Sequence, residues 1–144
     1  MTTPTITPTI TPTAAAATIV RDVLPDVTRP DVGTVLVSPW LVGTPERQRG
    51  WIDTVIGALS SETEPLPGLV AAHFHVSTDG TRVLNYAEWT SKEAHQDALD
   101  RSGHGVVGQS PEWRRVRSYP GVRRNDDVRR YHLHRSLTKP AGIP

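Results

Sequence analysis

The stretch LVAAHFHVSTDGTRVLNYAEW, residues 69–89, decides the fold. Two runs rich in β-branched, aromatic and small apolar residues flank Asp79-Gly80, a pair suited to positive φ in a hairpin turn. With a two-residue loop there, Phe74 falls opposite Asn85 and His73 opposite Tyr86. Side chains alternate across a strand. One face then carries Val70, Ala72, Phe74, Val76, Val83, Asn85, Ala87 and Trp89, and the other Ala71, His73, His75, Leu84, Tyr86 and Glu88. A three-residue loop with a bulge would slip the register by one and set the histidines beside Asn85. The first register is preferred because it gathers the apolar residues onto one face.

Outward from the hairpin, Thr90-Ser91-Lys92-Glu93 reads as a capping box with Thr90 as the cap. It opens a helix to about Arg101, with Ala94, His95, Ala98 and Leu99 turned inward. A loop containing Gly103, Gly105 and Gly108 follows. Ser110-Pro111 then starts a short helix that Pro120-Gly121 ends, and Val128 to Leu137 reads as the last strand. Upstream, Gly33 to Trp40 is a strand whose ladder Ser38-Pro39 breaks. Thr44-Pro45 combines a hydroxyl cap with proline at the first helical position. Behind it Trp51, Ile52, Val55, Ile56 and Leu59 form one apolar stripe at helical spacing. Pro65, Pro67 and Gly68 end that segment. The order β-α-β-β-α-(α)-β predicts an α+β fold of the ferredoxin-like split β-α-β type. Its four-stranded antiparallel sheet has helices on one face.

This places one domain at residues 33–138. Residues 1–32 begin with a Thr/Pro repeat that can build neither helix nor central strand, and are expected to form a flexible tail. A second reading makes them an arm across a partner subunit, and Ile19 to Leu24 is a candidate for a short extra element. Residues 139–144 are a C-terminal tail. The absence of cysteine excludes disulfides, thiolate metal sites and cysteine nucleophiles. A formal charge of +1 argues against nucleic acid or an anionic membrane as partner. There is no signal-peptide pattern and no apolar run of spanning length, so a cytoplasmic protein is expected.

Asn85 is a polar amide in a row otherwise made of Val83, Ala87 and Trp89. A buried amide without partners costs about 1–3 kcal/mol. Either nearby backbone satisfies it, or it orients a ligand oxygen while Trp89, about 13 Å along the strand, supplies an aromatic wall and one N–H. His95 reads either as a satisfied core histidine or as a group that binds or deprotonates a phenol near neutral pH. Arg114 could hold an enolate or phenolate, though it is one of eight arginines between residues 114 and 135. The pairs His73/His75 and His132/His134 invite a metal, with Glu88 as a further ligand. Strand spacing alone specifies no geometry, so no metal site is assigned. Phosphate loops, dinucleotide fingerprints, a serine nucleophile elbow and a flavin signature are absent.

The continuous segment FHVSTDGTRVLNYAEWTSKEAH, Phe74 to His95, resembles the antibiotic biosynthesis monooxygenase family, specifically its small anthrone-oxidising members. Asn-Tyr-Ala-x-Trp after the Ser-Thr-Asp-Gly-Thr hairpin is the specific part. The resemblance implies a homodimeric α+β barrel with the two sheets packed together. It implies oxidation of an aromatic polyketide, an anthrone or dihydroxy-aromatic, to a quinone with O₂ and no flavin, haem or metal. It makes Asn85 and Trp89 the catalytic pair and Phe74, His95 and Arg114 substrate contacts, with His95 where a relative has tyrosine. Rival readings are a polyketide cyclase on the same scaffold, a non-catalytic partner of an oxygenase, and a haem-degrading relative with an axial histidine.

Overall fold

The computed structural model describes residues 19–26, 28–61, 66–102, 110–124 and 128–142. Its elements are β1 (Thr34–Leu41), α1 (Pro45–Ser60), β2 (Leu69–Val76), β3 (Arg82–Trp89), α2 (Lys92–Ser102), α3 (Pro111–Arg117), β4 (Arg123–Arg124) and β5 (Arg129–Tyr131). The antiparallel sheet has the order β2-β3-β1-β4, with β5 also paired to β1. This is the ferredoxin-like arrangement, and all three helices contribute to the same face of the sheet.

The hairpin keeps the expected register, with His73 opposite Tyr86, Phe74 opposite Asn85 and Val76 opposite Val83. The loop is longer than two residues. The Ser77 amide pairs with the Arg82 carbonyl, and the Gly80 amide closes a turn onto Ser77 O. Gly80 supplies the positive φ of 80°. Asp79 accepts from the Ser77 and Thr81 hydroxyls and the Thr81 amide. These bonds hold its carboxyl at about 2. A bulge lies further along β2, where the ladder steps from Leu69–Trp89 to Ala71–Glu88. The extra residue, Val70, leaves the row it was assigned to, and Leu69 takes its place on the helix-covered face.

Three other expectations need correction. Pro39 does not end β1, which continues to Leu41. The Val42 amide donates to Thr81 O, so strand alternation directs the even-numbered amides of β1 toward β3. The Pro39 nitrogen therefore faces the opposite edge. There β5 pairs with residues 35–37 and β4 with 40–41, leaving 38 and 39 unpaired. The missing donor costs no ladder bond. Secondly, the last strand is two short pieces that end at Tyr131, because Val35–Tyr131 already reaches the start of β1. Leu133 and Leu137 are exposed beyond it. Thirdly, α2 is capped one residue later than expected, by Ser91, whose hydroxyl accepts from the Ala94 amide. The expected Thr44-Pro45 start of α1 is present, with the Thr44 hydroxyl accepting from Arg47 N.

Residues 19–26 contain no helix or strand, so the extra element expected at Ile19 to Leu24 is not formed. Residues 1–18 and 27 of the tail and the glycine loop at 103–108 lie outside the described residues.

The core is divided. One cluster gathers Val42, Trp51, Val55, Ala58, Val83, Trp113 and Val116. A second holds Ala87, Trp89 and Ala98, with Leu36, Leu69 and Ala72 against it. α1 is tied to the hairpin by buried Gln48, whose amide donates to Arg82 O at 2.8 Å and Ser77 O at 3.1 Å. The boundary between the clusters positions the site.

Candidate active site

On β3 the helix-covered row runs Val83, Asn85, Ala87, Trp89, so Asn85 separates a residue of the first cluster from one of the second. On β1 Ser38 sits likewise between Leu36 and Trp40. Ser38 and Asn85 are register partners, and Asn85 is in turn paired with Phe74. Three strands thus place Ser38, Asn85 and Phe74 in one line across the sheet. Two polar side chains in that line interrupt the apolar floor where the two clusters part.

A cavity occupies the gap. It offers about 110 Å³ of room for the centres of water-sized molecules, within about 780 Å³ of interatomic space once its open mouth is counted. The floor is Ser38, Trp40, Phe74, Asn85 and Trp89 of the sheet. Trp51, Val55 and Leu59 of α1, His95 and Leu99 of α2, and Trp113 and Val116 of α3 wall it. Aromatic rings dominate one end. Trp40 and Trp51 lie 4.6 Å apart between centroids, and Phe74 meets Trp51 edge-on at 6.5 Å.

Three buried side-chain atoms here lack a hydrogen-bond partner: the Asn85 Oδ1, the Trp89 Nε1 and the Trp40 Nε1. All three belong to residues lining the cavity. Each such atom costs about 1–3 kcal/mol when left unmet. Two donors and one acceptor left unmet on residues that line one apolar space suit a ligand bearing oxygens.

His95 is 4% exposed and stacks obliquely on Trp89, with centroids 5.0 Å apart. Its Nδ1 accepts from Arg130 Nε at 2.9 Å. Burial, and then the positive charges of Arg130 and Arg124, push its pKa down to about 4. The ring is neutral at pH 7 with its Nδ1 lone pair engaged, so the expectation of a base near neutral pH gives way to that of a hydrogen-bond donor.

Of the expected site residues, Asn85, Trp89, Phe74 and His95 come together around the cavity. Arg114 does not. On α3, Trp113 and Val116 are buried at i and i+3, which turns the intervening Arg114 outward to solvent. Arg124 of β4 lines the cavity instead, and Arg130 of β5 reaches His95. Sequence reading also missed Trp40, Ser38 and Trp113. Trp40 and Ser38 share the even-numbered face of β1 with Leu36, an alternation legible once β1 is carried through Pro39.

The His-x-His residue His73 lies on the outer face of the sheet. Its Nε2 is 2.8 Å from Glu88 Oε1 and its Nδ1 2.9 Å from the Val23 carbonyl oxygen. Among the described residues no group of three or more His, Asp or Glu side chains is arranged to hold a metal.

No protein-family model matches the chain. Over 48 residues it is 42% identical to the tetracenomycin-F1 monooxygenase of Streptomyces glaucescens, a match covering 33% of this chain and 43% of that protein. The aligned part therefore spans less than half the length of this curated relative. Among solved structures, the monooxygenase from the gene ActVA-Orf6 of Streptomyces coelicolor, in complex with nanaomycin D, superposes with a TM-score of 0.60. The two are 26% identical over 80% of this chain and 99% of that one. SnoaB of Streptomyces nogalater, a cofactor-independent oxygenase, shares the fold at a TM-score of 0.50 and 17% identity, over 74% of this chain and 97% of its own. Among the described residues no helix is long and apolar enough to cross a membrane.

Proposed function

We propose, for a chain that belongs to the antibiotic biosynthesis monooxygenase family, that it is a cytoplasmic oxygenase of aromatic polyketide tailoring. It oxidises an anthrone or dihydroxy-aromatic ring to a quinone with O₂, without a bound cofactor. The observation that carries this reading is the trio of unmet polar atoms, Asn85 Oδ1, Trp89 Nε1 and Trp40 Nε1, in an aromatic-walled cavity. A flat phenolic ring carries the matching groups, a hydroxyl to donate to Asn85 and carbonyl or phenolate oxygens to accept from an indole N–H. The tetracenomycin-F1 monooxygenase supports oxygen chemistry by its name, and SnoaB, which shares the fold, is described as a cofactor-independent oxygenase.

The chemistry needs little from the protein beyond placement. An anthrone that loses a proton to solvent becomes a delocalised anion able to pass one electron to O₂. Recombination of the two radicals forms a C–O bond, the peroxide anion takes a proton back from solvent, and the resulting hydroperoxide loses water. In sum a ring CH₂ and O₂ give C=O and H₂O. The N–H donors favour the anion by stabilising charge on its oxygen, and the apolar walls keep bulk water from the radical pair. Phe74, Trp51 and Trp113 hold the ring plane.

The cyclase reading depends on acid–base work by His95 or Arg114. The neutral, engaged imidazole and the outward guanidinium disfavour it. An axial haem ligand is disfavoured as well, since the proton displaced from Nδ1 occupies Nε2. The working unit is residues 33–138, and we take it to be a homodimer. Half-exposed Tyr131 and the partly open Leu84, both on the outer face of the sheet, support that assembly as apolar surface available to a second copy.

The test is purified protein with dithranol or emodin anthrone and no added cofactor, following O₂ uptake and quinone absorbance. Turnover above the buffer blank is expected, and full retention of it after metal chelation. A rate equal to the blank overturns the oxygenase reading.

A further inference from the structure

We propose that Arg130 is a positioning residue that fixes His95 as a neutral hydrogen-bond donor. The His95 Nε2–H is then directed at a carbonyl or anionic oxygen on the edge of the aromatic substrate. The inference rests on the functional reading for the identity of that substrate. The tautomer does not depend on it.

The argument begins with donor counting. A guanidinium has N–H donors and no acceptor, and does not lose its proton in a protein. Arg130 Nε donates to His95 Nδ1 at 2.9 Å, and its Nη2 donates to Gln96 Oε1 in a short contact. The fork therefore grips two successive residues of α2 from β5, across the edge of the sheet. Because Nδ1 must offer its lone pair, the one hydrogen of the neutral ring sits on Nε2. Without Arg130 either nitrogen could carry it.

Electrostatics point the same way. Arg130 approaches from β5 and Arg124 from β4, and both disfavour the imidazolium. Burial among Trp89 and the α2 residues disfavours it further. The carboxylate Glu88 belongs to the opposite row of β3 and is committed to His73. With both causes acting downward, the ring stays neutral throughout the ordinary working range.

The consequence is a pocket with a fixed polarity. Trp40, Trp89 and His95 present N–H groups, and Asn85 presents the unmet acceptor. Such a cavity selects rings with oxygen acceptors along one edge and rejects those bearing amines there, whose N–H groups would meet donors. Charge that develops on a substrate oxygen as the ring ionises is met by a donor that cannot itself take the proton away. Arg130 thus links the outermost strand to the reacting ring without touching it.

The experiment is histidine side-chain ¹⁵N NMR on the full chain, wild type and Arg130→Met, with Arg130→Lys as the conservative control. In the wild type we expect His95 to show an unprotonated Nδ1 and a protonated Nε2, unchanged from pH 8 to about 5.5. In Arg130→Met the tautomers mix, and the titration midpoint rises by roughly one unit or more toward the ordinary value near 6.5. Arg130→Lys restores part of the wild-type behaviour. A wild-type His95 protonated at Nδ1, or titrating near pH 6.5, overturns the proposal. Adding 1,8-dihydroxyanthraquinone, a product-like ring that needs no turnover, should shift the Nε2–H resonance. Arg130→Met should weaken its binding about tenfold, the loss expected for one oriented charge-free hydrogen bond of about 1.4 kcal/mol. No shift at saturation, or binding unchanged in Arg130→Met, overturns the substrate contact. Absence of anthrone turnover with these resonances and shifts intact would count against the oxygenase alone.

Discussion

The two faces of β3 solve the same problem in opposite ways. Both bury polar groups. On the outer face Glu88, 3% exposed, lies 2.8 Å from His73 Nε2, and the other nitrogen of that ring reaches the Val23 carbonyl. These groups are closed upon one another, and the lead-in segment is drawn into the set. On the inner face Asn85 and Trp89, three residues before Glu88 and one after it, line a cavity and each leave a polar atom unmet. Burial of a polar side chain therefore does not mark a functional site. Unused hydrogen-bonding capacity beside empty space does, because folding alone gives no return for it.

The contrast predicts a double dissociation. Glu88→Ala leaves His73 Nε2 on the outer face without its 2.8 Å partner and should lower folding stability by about 1–3 kcal/mol. Turnover per folded molecule should stay within about twofold. Urea midpoints and the anthrone assay check both, and loss of activity without loss of stability would invert the comparison. Asn85→Ala should do the reverse. Anthrone turnover falls about a hundredfold, in line with the removal of one preorganised contact to the reacting system. Stability should hold or rise, by up to about 1–3 kcal/mol, since the deleted oxygen has no protein partner to lose and its burial no longer goes unmet. A marked drop in the urea midpoint with activity retained would show Asn85 to be structural.

Acid sharpens the comparison from another side. The folded pKa of His95, about 4, lies below the unfolded value near 6.5. Below pH 6.5 the unfolded chain takes up a proton that the folded chain refuses, so stability falls as pH falls, and the loss levels off below about 4. Its size is on the order of 3 kcal/mol. His95→Phe keeps a ring in place and removes the titration, so the slope of stability between pH 6.5 and 4.5 should flatten. Parallel curves for the two proteins would show that His95 is not held neutral.

How far the sequence reached depends on the range of the interaction concerned. Strand alternation about Asp79-Gly80 is local, and it set Phe74, Asn85 and Trp89 on one face, as the structure has them. The helix stripe behind Thr44-Pro45 is local too. Val70 was misplaced because a bulge changes parity without any residue type announcing it. The arginine was misassigned for a different reason. Between Arg114 and Arg135 the sequence offers many equivalent guanidinium groups, and Arg124 and Arg130 reach the site only because β4 and β5 close onto the free edge of β1. Edge pairing is a long-range event, and composition near the chain end does not encode which cation it delivers. Buried Gln48, in phase with Trp51, Val55 and Ala58, was overlooked because a polar residue in an apolar stripe looks like its boundary.

Trp40 offers the finest division between the two kinds of burial, because a single side chain plays both parts. Its ring packs on Trp51 at 4.6 Å and belongs to the margin of the first core cluster, whereas its Nε1–H is buried without a partner in a residue that lines the cavity. Trp40→Phe keeps most of the first and deletes the second. If the N–H awaits a substrate oxygen, KM for the anthrone should rise about fivefold, near 1 kcal/mol for one neutral hydrogen bond, while the modest loss of ring area lowers stability by about 1 kcal/mol. Trp40→Leu, which surrenders both the N–H and the aromatic contact, should cost more in stability with a similar change in KM. The pair separates the roles, since a KM that tracks stability across both variants would mean that packing alone accounts for the residue. A KM already raised in Trp40→Phe and little higher in Trp40→Leu assigns the effect to the indole N–H, and with it the cavity's claim to an oxygen-bearing ligand.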